Sequence, residues 1–309
     1  MVPYIVKRLI QGVIVLFFVT LLTFFVMYFM PGDPARQMVG QAYVTEEQLD
    51  AIRDKWHLND PWYTRYWTWV SNVVQGDFGT SMMRPGVAIT DMIGQAAGMT
   101  LRLTAISFTL SLLIALPVGV IAAVKRYSWF DYLSMLGSTV GVAVPNYWIG
   151  LMAIILFSVK LGWLPPYGSA GWKSYLLPVI VLSIDEVAGL ARITRGATIE
   201  VLGQDYVTTA RAKGLKQGAI LWRHVVRNTL LPVITIIGYR AAFILSGTIV
   251  VETVFAWPGM GRLFYQAITS QDLQVVQAIV LLLTTLVVLA NILTDLTYAF
   301  IDPRVRITK

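Results

Sequence analysis

The chain has 309 residues, 56% of them hydrophobic and only 13% charged, with a formal net charge of +7 and a mean hydropathy of +0.66. A soluble globular domain carries about 25% charged residues, so a share this low, with apolar residues gathered into long uninterrupted runs, makes lipid the solvent. The positive balance does not require nucleic acid, because basic residues collect in the cytoplasmic loops of membrane proteins. The absence of cysteine removes disulfides, thiol catalysis and cysteine metal sites.

The first charge-free run is 9–30, preceded by Lys7 and Arg8. At about 1.5 Å per residue it reaches roughly 33 Å, enough for the hydrocarbon core. It is longer than a signal-peptide core and no A-x-A site follows, so it reads as a retained first helix. Pro31-Gly32-Asp33-Pro34 ends it. Segment 31–101 is rich in acids and too long for a bare connector. Within it, Thr45 followed by Glu46, Glu47 and Gln48 predicts a capped helix start. Trp56, Trp62, Tyr63, Tyr66, Trp67 and Trp69 form an aromatic cluster. Such a cluster anchors at the bilayer interface, packs on the membrane domain, or stacks against substrate.

Runs 103–124 and 132–159 read as the second and third spans, joined by the short loop 125–131. Run 176–191 is a fourth, holding Asp185 and Glu186; 228–251 is a fifth, carrying Arg240; 273–294 is a sixth, clean up to Asp295. The expected fold is therefore all-α and polytopic, with about six transmembrane helices in a single domain over 1–309. An unpaired charge at mid-membrane is costly. Arg240 is accordingly predicted to meet Asp185 or Glu186, or to line a path.

Placing both termini in the cytoplasm puts more than half of the 24 Lys and Arg on the inside, close to helix ends. Segment 31–101 then lies outside and the basic segment 192–227 inside. His57 and His224 fall on opposite sides and cannot share a metal. The chain lacks H-E-x-x-H, G-x-S-x-G and G-x-x-x-x-G-K-[ST], so it offers no zinc-protease site, no nucleophile elbow and no ATP-hydrolysing phosphate loop. An intramembrane enzyme would have only Asp185, Glu186, Arg240 and Asp295 to work with. A secondary transporter would usually show internal repeats, and none is evident.

Segment 192–232 is the most informative. It reads as a basic amphipathic helix, a turn at Gly214, and a second helix rising toward Pro232. A helix–turn–helix between two spans suits contact with a partner. From Asp205 to Pro232 it resembles the coupling loop of ABC importer permeases, in the form of the dipeptide, oligopeptide and nickel branch. Further stretches resemble that branch in order: F-M-P-G-D-P-A-R at 29–36, L-N-D-P-W at 58–62, Q-G-D-F-G-T-S at 75–81, L-G-W-L-P at 161–165, E-T-V-F-A-W-P-G-M-G-R at 252–262 and I-D-P-R-V-R at 301–306. The general loop pattern opens on Glu-Ala-Ala, whereas Thr208, Thr209 and Ala210 stand here. That departure, and the long spacing from Gly214 to Pro232, are features of the peptide branch.

The resemblance implies a type I importer permease of a bacterial inner membrane, working with a second permease, two ATPase subunits and an extracytoplasmic peptide-binding protein. ATP and Mg would be used by the ATPases, with no cofactor on this chain. Its partner-facing residues would be Asp205, Tyr206, Ala210, Arg211, Ala212 and Gly214. Peptides, glutathione and chelated nickel are all cargo of this branch.

Overall fold

The computed structural model describes residues 2–40, 42–243 and 248–301. In chain order the helices are α1 (Val2–Tyr28), α2 (Pro34–Val39), α3 (Glu46–Lys55), α4 (Trp62–Val74), α5 (Ile89–Val124), α6 (Trp129–Ala143), α7 (Asn146–Ala153), α8 (Lys173–Leu202), α9 (Asp205–Ala212), α10 (Gln217–Ile220), α11 (Arg227–Phe243), α12 (Thr248–Val254), α13 (Met260–Thr269) and α14 (Leu273–Ile301). Residues 154–160 extend α7 as π-helix, and a second π-helical stretch, 221–226, joins α10 to α11. No strand occurs among the described residues; Thr80 and Ala88 form an isolated antiparallel bridge. The chain divides into two compact units, Met1–Ala97 with Arg262–Lys309, and Gly98–Gly261.

In the first unit α1 packs along α14. Gly12 permits the approach: a Cβ there would lie 2.7 Å from Val288 Cγ1. Elsewhere α1 leaves Phe18, Leu22 and Val26 more than 60% exposed, an apolar surface suited to lipid. Helix α4 packs on α1 through Tyr66, whose hydroxyl shares a 2.9 Å hydrogen bond with Thr20 Oγ1 and whose ring meets Phe24 edge-on. The aromatic cluster thus splits by role. Tyr66 is buried packing, while Trp62, Tyr63 and Trp67 stay exposed, as interfacial anchors do.

Asp33 starts α2 by accepting from the Ala35 amide at 2.9 Å, with Pro34 at the first helical position. The capping box of α3 forms as predicted: Gln48 N donates to Thr45 Oγ1, and Thr45 N to Gln48 Oε1. Arg53 on α3 reaches back to Asp33 at 2.5 Å. Burial opposes ionisation of Asp33, but the hydrogen bonds from Arg53 and Ala35 outweigh it and hold its carboxyl below its ordinary value of 3.8. A depressed folded value means the contribution is complete above the ordinary value and is lost as pH falls through the folded one. The α2–α3 corner is therefore predicted to loosen only below about pH 4. The protection of the Ala35 and Gln37 amides, taken as exchange relative to the intrinsic rate at each pH, should fall between pH 5 and pH 3 in the native chain. In Asp33→Asn protection should be low at both; unchanged protection in the native chain refutes the coupling.

Helix α5 runs 36 residues, its first turns in the first unit and the rest in the second. It starts at Ile89, well before the expected 103, because no helix breaker lies between. Pro117 sits inside it without ending it. Where α5 meets α8 the side chains are small. A Cβ on Gly119 would lie 2.7 Å from the Ala191 carbonyl oxygen, and Ser183 Oγ donates to the Ser107 carbonyl at 3.0 Å. Small and hydroxyl residues let membrane helices approach closely. Run 132–159 is not one straight span. The helices on either side of Val144 and Pro145 are bent by 99°, since proline lacks an amide donor and holds Val144 extended.

Helix α8 is 30 residues long and extends past the expected end at 191, so Arg192 and Arg195 stand on helix rather than loop. Arg195 is not a free loop charge. It grips the buried Asp131 at the start of α6 in two-pronged fashion, at 2.5 and 2.8 Å. By length and hydropathy α1 and α5 each suffice to cross a bilayer, and the bent pair makes a third if counted as one span. The fold is all-α and that of an integral membrane protein.

Candidate functional site

The segment singled out by sequence forms a small folded element of its own. Helix α9 covers Asp205–Ala212. Its end is fixed by a Schellman motif: the Gly214 amide donates to the Arg211 carbonyl at 3.0 Å, and the Leu215 amide to the Ala210 carbonyl at 3.3 Å. Gly214 sits at φ +75°, and nothing lies within 4 Å of where its Cβ would be. Glycine is required there by backbone conformation and not by crowding.

Val207, Ala210, Ile220 and Val225 are buried together beneath this turn, with Val201, Leu202 and Leu221 packed against them. The element is therefore held by a small core that it shares with the end of α8. Its other side carries Asp205, Tyr206, Arg211, Ala212, Lys213 and Lys216, all exposed. Leu215 is 45% and Trp222 73% exposed beside them. Aromatic and arginine side chains around an apolar patch are what protein interfaces use. Ala210 departs from the sequence-based set. It is 6% exposed and faces the element's own core, because it falls three residues after Val207 on the same helix face.

The second predicted constellation is only partly visible. Asp185 and Glu186 are half-buried on α8, and Asp185 makes no hydrogen bond or ion pair among the described residues. The Arg240 side chain lies outside the described residues, as does that of Asp295.

Sequence reasoning assigned no role to individual residues of the 252–262 motif, and the structure supplies one. Glu252 is wholly buried. Its Oε1 accepts from Thr100 Oγ1 at 2.6 Å and its Oε2 from the Gly261 amide at 2.7 Å. Thr100 Oγ1 in turn accepts from the Met260 amide at 2.8 Å. A Cβ on Gly259 or Gly261 would overlap this carboxyl group. Trp257, also fully buried, donates from Nε1 to the Met99 carbonyl and meets Tyr175 edge-on at 4.5 Å. The motif is a clasp that folds the turn after α12 back onto α5. The signal was legible in hindsight: a glutamate at the end of an apolar run needs a reason to be there.

Residues 115–307 match the family described as "Binding-protein-dependent transport system inner membrane component", and residues 1–118 match the N-terminal region of such membrane components. The chain belongs to this family: it is a membrane-embedded permease component of a binding-protein-dependent transport system. It is 39% identical over 315 residues to the oligopeptide transport system permease protein AppB of Bacillus subtilis (strain 168), covering 99% of both chains. It is equally 39% identical, over 308 residues, to the glutathione transport system permease protein GsiC of Escherichia coli (strain K12), again covering 99% of both. Two solved structures share the fold. An amino acid ABC transporter aligns with TM-score 0.54 at 16% identity, covering 67% of this chain and 93% of that one. The MetNI methionine ABC transporter, inward facing, aligns with TM-score 0.54 at 20% identity, covering 69% and 97%.

Proposed function

We propose that the chain is one of two permease subunits that together form the path of an ATP-driven importer of short peptides. The observation that carries this reading is end-to-end identity of 39% to an oligopeptide permease. Two separate ATPase subunits use ATP and Mg and dock on the exposed side of α9 and its turn. An extracytoplasmic binding protein delivers cargo to segment 31–101, and lipid surrounds the apolar helices. Both termini are cytoplasmic. The chain binds no cofactor and no nucleic acid. Glutathione is the second reading, favoured by equal identity to a glutathione permease.

Uptake of labelled tri-alanine and of labelled glutathione, by cells with and without this chain, separates the two. Dependence on the chain for tri-alanine supports the first reading; dependence for glutathione alone supports the second; dependence for neither overturns both. Co-purification of ATPase and second permease is expected in either case. The orientation is tested by single cysteines at Gln48 and Gln217 in this cysteine-free chain. An impermeant thiol reagent applied outside should label the first and not the second, and the reverse pattern rules the topology out.

A further inference from the structure

The break between α6 and α7 leaves backbone groups open. Helix α6 is 15 residues long, and beyond it the chain turns by 99° into α7. The last four carbonyls of any helix have no partner within it. Here Pro145 has no amide to offer the Gly141 carbonyl. The Asn146 and Tyr147 amides do not reach back to Val142 and Ala143, and the Trp148 amide turns to the Pro145 carbonyl. Among the described residues, no donor meets the carbonyls of Gly141, Val142, Ala143 or Val144.

These groups lie at membrane depth. Helix α6 starts beside the charged turn at Lys125 and Arg126, which belongs at a bilayer face. Its 15 residues, at about 1.5 Å each, carry the chain at most about 22 Å from that face. The hydrocarbon core is about 30 Å thick, so the break stops about 8 Å or more short of the other face. An open carbonyl is costly there. Irregular backbone is tolerated at such depth only where protein buries it or water reaches it.

This chain does not bury the break. Val142 is 50% and Tyr147 51% exposed, and Ala143 and Pro145 between them are exposed too. Of the four open carbonyls, only that of Gly141 belongs to a buried residue, packed against Ala188. Lipid tails bring no donors and cannot cover the others. Thr139 shares the exposed face with Val142 and Ala143, three and four positions on. A face with a hydroxyl and small side chains differs from the Phe18, Leu22 and Val26 surface of α1. Water fits it, and a row of acceptors in water suits a guest rich in N–H donors, as a peptide is.

We propose that the exposed side of this break, from Thr139 to Tyr147, lines the water-filled path for peptide cargo. The carbonyls of Val142, Ala143 and Val144 accept hydrogen bonds from amide and ammonium groups of the cargo as it passes. The assignment rests on the reading of the chain as a peptide importer subunit and deepens it.

The absence of cysteine from the chain permits a direct test. Val142→Cys, Ala143→Cys and Tyr147→Cys are made singly in cells carrying the whole transporter, with Leu22→Cys on the apolar surface of α1 as reference. The probe is a trimethylammonium methanethiosulfonate, applied to intact cells and to inverted vesicles. A thiol reacts as its thiolate, so one held in lipid or packed protein stays inert. At least two of the three should react about tenfold or more faster than the reference, from one face or the other. Tri-alanine supplied during transport should slow that reaction about threefold or more. Rates no faster than the reference overturn the inference, in favour of a partner protein covering the break. Fast reaction that neither tri-alanine nor glutathione slows also overturns it, and places the break at the bilayer surface. Slowing by glutathione alone overturns the peptide as cargo and leaves the break on the path. Chain-dependent tri-alanine uptake with all three cysteines inert sinks this assignment and leaves the importer reading intact.

Discussion

Glu252→Ala is expected to destabilise the permease by about 3–5 kcal/mol, the range seen when one partner of a buried polar cluster is removed. The carboxyl group is wholly buried and accepts from both Thr100 Oγ1 and the Gly261 amide. Alanine leaves both donors without the acceptor they meet in the native chain. For a chain of this size that loss corresponds to a fall of roughly 5–8 °C in melting temperature. Glu252→Gln should fall between the native chain and Glu252→Ala, because its amide oxygen can still accept from the Gly261 amide while its NH2 turns toward the Thr100 hydroxyl in place of an acceptor. Gly261→Ala should match Glu252→Ala by a different route, since its Cβ would overlap the Ile249 backbone as well as the carboxyl group. Melting of purified permease, followed by fluorescence-detected size exclusion, reads all three against the exposed control Glu47→Ala. Were Glu252→Ala to melt with the control, the clasp would be incidental to the fold.

The sequence announced what depends on long apolar runs and on local caps. Span 9–30, the capped start at Thr45 and the turn at Gly214 needed only hydropathy, a Thr–Gln pair and one glycine. What it hid depends on partners distant in the chain. The pairing of Arg195 with Asp131 joins residues 64 apart, so a basic residue that looked like a loop charge is a tie between two helices. Ser81 donates to Asp272 across 191 positions, and Gln271 donates to the Pro31 carbonyl across 240. Motifs read as family marks, such as 29–36, 75–81 and 252–262, are largely these ties and caps. Their chemistry is structural. The kink at Pro145 shows the opposite error, in which an absence of charge was taken for an absence of bend.

The second large effect concerns motion. Gly214→Val should abolish coupling while leaving the permease in the membrane. At φ +75° a β-branched side chain is strained by about 1–2 kcal/mol or more, whatever space is free. The Schellman bonds from Gly214 and Leu215 would then give way. The turn holds α9 over the core formed by Val207, Ala210, Ile220 and Val225. Once loosened, α9 should no longer pass the proposed ATPase motion to α8 before it or to α11 after it. No apolar span is altered, so permease abundance should stay near native. Substrate-stimulated ATP hydrolysis and peptide uptake should fall at least about tenfold, the change expected when a 1–2 kcal/mol local penalty removes a docking geometry. Gly214→Asn supplies the control, because asparagine tolerates the left-handed region and should retain most uptake. Ala210→Trp should fail alongside Gly214→Val by bursting the same small core from within. At equal permease abundance, native ATPase co-purification, hydrolysis and uptake in both Gly214→Val and Ala210→Trp would remove this element from the coupling path.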